Sequence, residues 1–189
     1  MPMNLVHRKL CSSKKWAELV AAEMPGQLEG FDLGDSVLEI GPGFGATTRA
    51  LISQVPALTA LEIDEASVSL LRAEFDGRAA IVLGSGADMP FEDNTFSAVV
   101  CFTMLHHVPT NALQDAIFSE AHRVLRPGGL LRGIDSQSSL PFRLLHLGDT
   151  MNVLDHKTLP ARLAKAGFSE IDVQHEPKRA VRFSALRAF

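Results

Sequence analysis

Short, almost wholly apolar runs alternate along this chain with longer mixed segments, and turn signals mark most boundaries. Ser12 to Met24 reads as a helix, with Ser12 or Ser13 as its N-cap and Pro25-Gly26 as its stop. Ser36 to Ile40 is a short apolar strand ended by Gly41-Pro42-Gly43. Ala46 to Val55 reads as a helix broken by Pro56, and Leu58 to Ile63 as a second strand. In Glu65 to Phe75, Val68, Leu71 and Phe75 recur at the helical period. Ala79 to Leu83 and Phe96 to Phe102 are the third and fourth strands, and the latter is nearly all apolar or small. Such runs suit parallel strands covered on both faces. Asn111 to Leu125 is a helix ended by Arg126-Pro127-Gly128-Gly129, and Leu130 to Ile134 is a fifth strand. Asp155 to Ala166 is a helix with Thr158, Leu159 and Pro160 in its first turn and Gly167 at C′. Phe168 to His175 and Ala180 to Leu186 are two final strands joined through Pro177-Lys178. Ser136 to Asn152 fits neither pattern and is expected as a short helix and loop over the mouth of a site.

Strands alternating with helices predict an α/β, doubly wound, mostly parallel sheet of seven strands. The last two strands are close enough in sequence to pair antiparallel. A single domain over 1–189 is expected, with a helical segment at 1–30, a ligand-binding core at 36–135 and final strands within 136–189. The final phenylalanine lies close behind the last predicted strand, so no further domain is expected.

Composition narrows the function classes. The 189 residues are 46% hydrophobic and 21% charged, as in ordinary soluble proteins. Cys11 and Cys101 make no disulfide framework, and no CxxC or HExxH spacing is present, so no metal site is read from the motifs. A reducing, cytoplasmic setting is expected. No apolar run reaches the length of about 18 residues that a transmembrane helix needs. All 22 acidic residues fall between Glu18 and Glu176, with only 10 of the 18 basic ones, so that span carries −12. An acidic body argues against a duplex nucleic-acid binder. The basic ends, from Arg8 to Lys15 and from Lys178 to Arg187, read as solvated ends balancing that body.

In a doubly wound sheet, ligands bind beyond the carboxyl ends of the strands. Read together, those ends suggest a ligand. Gly41, Gly43 and Gly45 let the backbone approach closely, and the following helix offers free N–H groups. Glu62, 17 residues after Gly45, can accept the vicinal hydroxyls of a ribose. Ile63 and Met89 are expected to sandwich an adenine. Glu39, just before the glycine loop, would repel a pyrophosphate but attract an ammonium or sulfonium. A ribose, a purine and a cationic end together describe S-adenosylmethionine.

On these residues the chain resembles the class I S-adenosylmethionine-dependent methyltransferases, from about Ser36 to Ser136. Val37-Leu38-Glu39-Ile40-Gly41-Pro42-Gly43-Phe44-Gly45 is similar to that family's first motif, and Glu62 to its ribose-binding acid. Asp88-Met89-Pro90-Phe91, with Asp93-Asn94-Thr95-Phe96, resembles its adenine-side segment. Leu105-His106-His107-Val108-Pro109 and Arg123-Val124-Leu125-Arg126-Pro127-Gly128-Gly129 resemble its small-substrate branch. The resemblance implies a Rossmann-like methyltransferase fold, S-adenosylmethionine as cofactor and a small-molecule acceptor. Ser85, Gly86, Ala87 and Phe102 fall where the family contacts cofactor. Two positions depart: Ser85 stands where an acidic or amide residue often meets the adenine amino group, and Ser97 where an aspartate is common. The glycine loop and Ala60 to Asp64 are also similar to ribosomal RNA adenine dimethylases. Phe102-Thr103-Met104-Leu105 lacks their Asn-(Leu/Ile)-Pro-aromatic motif. RNA methylation and non-catalytic cofactor binding stand as alternatives.

Methyl transfer from a sulfonium needs alignment more than a metal. A general base is needed only for an acceptor whose proton must leave early. His106 and His107 follow the fourth strand and are the candidates to contact the acceptor. If the strand continued, only one of them would reach the pocket. Phe142, Leu144, Leu145, Leu147 and Met151 are candidate lining for an apolar acceptor, or an ordinary lid. Trp16 reads first as a core anchor. The resemblance places an N-terminal helix over the cofactor, which would bring Trp16 and His7 to the mouth. The short chain has little inserted material for an acceptor pocket. A dimer partner or the N-terminal segment is expected to complete it.

Overall fold

The computed structural model describes residues 4–189. Two helices open it, α1 (Leu5–Cys11) and α2 (Lys14–Leu28). There follow β1 (Val37–Ile40), α3 (Ala46–Leu51), β2 (Leu58–Glu62), α4 (Glu65–Phe75), β3 (Ala80–Leu83) and β4 (Phe96–Phe102). A 3₁₀ turn (Leu105–His107) leads to α5 (Asn111–Val124), β5 (Leu125–Ser136), α6 (Leu140–Leu145), α7 (Leu159–Lys165), β6 (Phe168–Glu176) and β7 (Ala180–Arg187). The seven strands form one sheet in the order β3-β2-β1-β4-β5-β7-β6. β1 to β5 pair parallel, and β7 runs antiparallel between β5 and β6. The expected fold class is the one observed.

Both sheet faces are covered. Leu38, Ile40, Val99 and Cys101 look toward α5 and its Ile117 and Phe118, while Val37, Ala98 and Val100 join Met24, Leu28 and Leu51. Residues on either side of each central strand are therefore apolar, which is why those strands read as unbroken hydrophobic runs. α4 starts where Asp64 caps it through the Ser67 N–H at 2.9 Å and buries Val68, Leu71 and Phe75, as the periodicity predicts.

The elements differ from the sequence pattern in several places, among them α3, which ends at Leu51 rather than Val55, and β5, which starts at Leu125 rather than Leu130. α2 runs through Pro25 to Leu28 because Met24 and Leu28 bury against the sheet, and that burial outweighs one missing amide bond. α1 carries too weak an apolar pattern to be read from sequence: Leu5, Val6 and Leu10 are exposed and His7 is its buried residue. The helix expected from Asp155 starts later, at Leu159. Among the described residues no helix is long and apolar enough to cross a membrane.

Candidate active site

β1, β2 and β4 end on one edge of the sheet, with β2 and β4 on opposite sides of β1. The chain diverges there and leaves a crevice. A cavity of about 750 Å³ fills it, a size usual for small-ligand sites.

One end of the cavity is backbone. Gly41, Gly43 and Gly45 have φ of 67°, 56° and 76°, values that L side chains rarely adopt. A Cβ at Gly43 would meet nothing within 4 Å, so the loop presents bare backbone there. The Gly43 N–H donates to Glu62 Oε2 at 3.0 Å, and Ile63 and Asp64 donate to Oε1 at 2.8 and 2.9 Å. Three backbone donors thus hold the Glu62 carboxylate at the cavity wall, and Oε2 keeps a lone pair for a ligand hydroxyl. Beyond it Ile63 lies half exposed, and Ser85, Gly86 and Ala87 follow along the wall. Ser85 Oγ accepts the Ala87 N–H at 3.2 Å. Arg123 braces this side by donating to the Met89 and Phe91 carbonyls and to Asp93 and Glu120. The two segments of the sequence resemblance therefore meet in one clamp.

Three expected site residues lie behind the wall rather than on it. Met89 is buried in the core, and its N–H donates to Glu120 at 2.7 Å. Ile63, without Met89, borders the cavity. Gly45 ends the loop, where a Cβ would stand 2.7 Å from Phe75 and 2.8 Å from Leu71; it is glycine so that α3 can sit on α4. Glu39 is fully buried, and its carboxylate accepts the hydroxyls of Thr47 and of Thr48, the latter at 2.6 Å. Thr47 stands between it and the cavity.

Burial raises the Glu39 pKa to about 7, against the opposing hydrogen bonds from Thr47 and Thr48 and with help from Glu62. The folded protein then holds a proton that the unfolded chain loses near pH 4.5. Stability should fall as pH rises from there to about 7 and level off above. Glu39→Gln should remove a loss of about 3 kcal/mol across that window. Urea unfolding of both proteins at pH 5 and pH 8 measures it, and parallel pH profiles would show that Glu39 does not titrate there.

The other end of the cavity is imidazole. Thr103, just past β4, has φ of 51° and donates its N–H to the Ile134 carbonyl at 2.7 Å. This turns the chain into the 3₁₀ turn, so the strand does not continue and both His106 and His107 border the cavity. Their rings lie 4.1 Å apart. His106 Nδ1 meets Asp135 Oδ1 at 2.5 Å, and the His106 N–H reaches Asp135 Oδ2 at 3.1 Å. Both residues are almost wholly buried. Phe142 sets its ring edgewise to His106 at 5.1 Å. His7 from α1 and His146 from the end of α6 complete the cluster. Burial, with the neighbouring imidazoles, drives the His107 pKa to about 2, so this ring is neutral.

The N-terminal segment also builds the wall, through His7, Leu10 and Trp16. Of the expected lid residues, Phe142 and Leu145 border the cavity, whereas Leu144 and Leu147 face solvent.

A family model described as a methyltransferase domain matches residues 38–132, half of the chain. The chain belongs to the methyltransferase domain family. Its cofactor is S-adenosylmethionine. Over 107 residues it is 35% identical to the sterol 24-C-methyltransferase ERG6B of Gibberella zeae, covering 53% of this chain and 27% of that protein. Over 57 residues it is 47% identical to the ribosomal RNA small subunit methyltransferase A of Gloeobacter violaceus, covering 30% of this chain and 21% of the other. The methyltransferase domain thus spans about a quarter of these relatives. The solved PH0226 protein of Pyrococcus horikoshii OT3 superposes with a TM-score of 0.78 at 15% identity, over 94% of this chain and 93% of that one. That likeness shows a shared fold.

The cavity fits the cofactor. The glycine loop leaves open space where a side chain would intrude, and the Glu62 carboxylate is held at the wall beside the exposed Ile63. Asp135, His146 and Asp149 were not singled out from sequence. Asp135 ends β5, the strand beside β4, and the strand-end logic that picks Glu62 reaches it too. His146 follows Phe142 by one helical turn, and that spacing was its only signal.

Proposed function

We propose that the methyltransferase domain transfers a methyl group from S-adenosylmethionine to a small acceptor seated against His106 and Phe142. One observation carries this reading: a single cavity runs from the glycine loop and Glu62 to the His106–Asp135 pair. The cofactor supplies a methyl group on a sulfonium, already activated for in-line displacement, so the protein's part is alignment and exclusion of water. Gly41, Gly43 and Glu62 would hold the methionine and ribose portions, with Ile63, Ser85, Gly86 and Ala87 along the adenine and Phe102 beneath. Glu39, behind Thr47, would give up its proton as the cationic end binds and so place negative charge behind it. α1 and α6 cover the far end of the cavity. Asp135 accepts the Nδ1–H of His106, which leaves the Nε2 lone pair to take a hydroxyl or thiol proton from the acceptor.

The Gloeobacter relative is a ribosomal RNA enzyme, so RNA is the competing acceptor. The span from Glu18 to Glu176, with its charge of −12, favours a small molecule. The test is transfer from methyl-labelled cofactor to phenols, thiols and amines, with ribosomal RNA as a separate arm. His106→Ala and Asp135→Asn should each lower kcat about 100-fold, with cofactor affinity within about twofold of wild type. Unchanged turnover in both variants would remove His106 from the chemistry. Cofactor binding without transfer to any acceptor would favour a non-catalytic binding protein.

A further inference from the structure

Three imidazoles meet at the far end of the cavity from three separate elements. His7 comes from α1, His107 from the 3₁₀ turn and His146 from the end of α6. One ring nitrogen from each lies within 4.8 Å of the other two. Their rings pack at centroid distances of 5.1, 4.3 and 5.4 Å.

Two of the rings have a fixed outward side. His7 Nδ1 is 2.8 Å from Asp149 Oδ2, and Asp149 is itself held by the Asn4 N–H at 2.6 Å. His146 Nδ1 is 2.8 Å from the Phe142 carbonyl, which can only accept. For His146 this puts a proton on Nδ1 and leaves Nε2 as the acceptor, while the Asp149 carboxylate engages His7 Nδ1. His146 is 4% exposed, and its Nε2 is the one buried side-chain nitrogen or oxygen without a hydrogen-bond partner among the described residues. A buried acceptor left unpaired costs about 1–3 kcal/mol. No neighbouring ring donates to it in this arrangement.

We infer that His7, His107 and His146 form a site for a divalent transition-metal ion of the zinc type, with its remaining coordination position open to the cavity. A carboxylate or carbonyl behind each ligating imidazole is the usual support of a histidine metal site, because it fixes the tautomer and aims the ring. Asp149 and the Phe142 carbonyl occupy those places for two of the three ligands. Neutral imidazoles are the ligating form. An all-imidazole set suits zinc, copper or nickel over calcium or magnesium, which take oxygen ligands. Three protein nitrogens with one open position is the pattern of reactive zinc sites rather than closed structural ones. Tetrahedral zinc holds nitrogens about 3.4 Å apart, so the rings draw together by roughly an ångström.

The site stands independently of the acceptor reading, and its test does not use methyl transfer. The full chain, purified without a metal-affinity tag and dialysed against a chelator, is titrated calorimetrically with Zn²⁺. One ion per chain at micromolar or tighter affinity is expected. Co²⁺ in its place should give the strong visible absorption of a tetrahedral site. His7→Ala and His146→Ala should lose the zinc isotherm. His175→Ala, which alters a histidine stacked on His156 elsewhere in the fold, should keep it. Asp149→Asn should weaken zinc about 10- to 100-fold. Binding of S-adenosylhomocysteine reports whether each variant is folded. A folded wild type that takes up no zinc overturns the inference, as does an isotherm unchanged by His7→Ala and His146→Ala. A weak, octahedral cobalt spectrum in wild type also overturns it and needs no variant to fold.

Discussion

Replacing Glu62 with alanine is expected to weaken S-adenosylmethionine and S-adenosylhomocysteine alike, by about 100-fold. Two losses add. The first is the charge-assisted hydrogen bond expected from a ribose hydroxyl to the free lone pair of Oε2, of about 1.5–3 kcal/mol. The second is the anchor of the loop itself. Glu62 takes the N–H groups of Gly43, Ile63 and Asp64, so its carboxylate ties the glycine loop to the end of β2. Without it those donors turn to water, and the loop must be ordered at the moment of binding. Glu62→Gln should fall between wild type and alanine. It keeps one acceptor oxygen but presents an amide N–H₂ where backbone donors converge. Equal loss for both ligands distinguishes the ribose from the sulfonium, since only the first is common to them. Calorimetric titration of the three proteins measures it. Alanine binding within threefold of wild type would place the ribose elsewhere.

Adding a single methyl group at Gly133 should cost about 3 kcal/mol, at the upper end of the usual overpacking penalty. Gly133 pairs directly with Phe183 across β5 and β7, and the fully buried Phe183 ring lies over the space a side chain would need. A Cβ there would fall 2.1 Å from the ring. Phe183 also meets Phe118 of α5 edge to face at 6.1 Å, which restricts the ring on that side. For a chain of this size the melting temperature should drop by about 10 °C. Phe183→Leu empties the contested space, so Gly133→Ala combined with Phe183→Leu should be more stable than the sum of the two single changes predicts. Strict additivity in thermal melts would show that the contact is not the source of the loss. The site should be spared, because Gly133 faces β7 rather than the cavity.

These two residues illustrate different kinds of legibility. Glu62 stands out in the sequence because a carboxylate at the tip of an apolar strand is rarely left without a purpose. Gly133 carries no such mark, because its need for hydrogen in place of a side chain comes from Phe183, 50 residues away in the chain. The same division runs through the site. Gly41, Gly43, Ile63 and the segment from Ser85 to Ala87 line the cavity because local turn chemistry at the strand ends puts them there. Met89, Gly45 and Glu39 share that neighbourhood in sequence but face inward. Which way a residue points depends on the helix that packs behind it, and residue order does not record this.

By itself the sequence determined the alternation of strands and helices, the parallel sheet with an antiparallel last strand, and the glycine loop with its acid partner. Those follow from hydrophobic period and from the few residues able to take left-handed turns, both of which are local. The tertiary structure alone decided the histidine cluster. Its members lie at positions 7, 106, 107 and 146, with carboxylates at 135 and 149, and no fixed spacing joins them. α1 is too weakly patterned to be read as a helix, yet it carries His7 to the cavity wall. Long-range contacts are set by how elements pack around a core, and a motif of adjacent residues holds no trace of them.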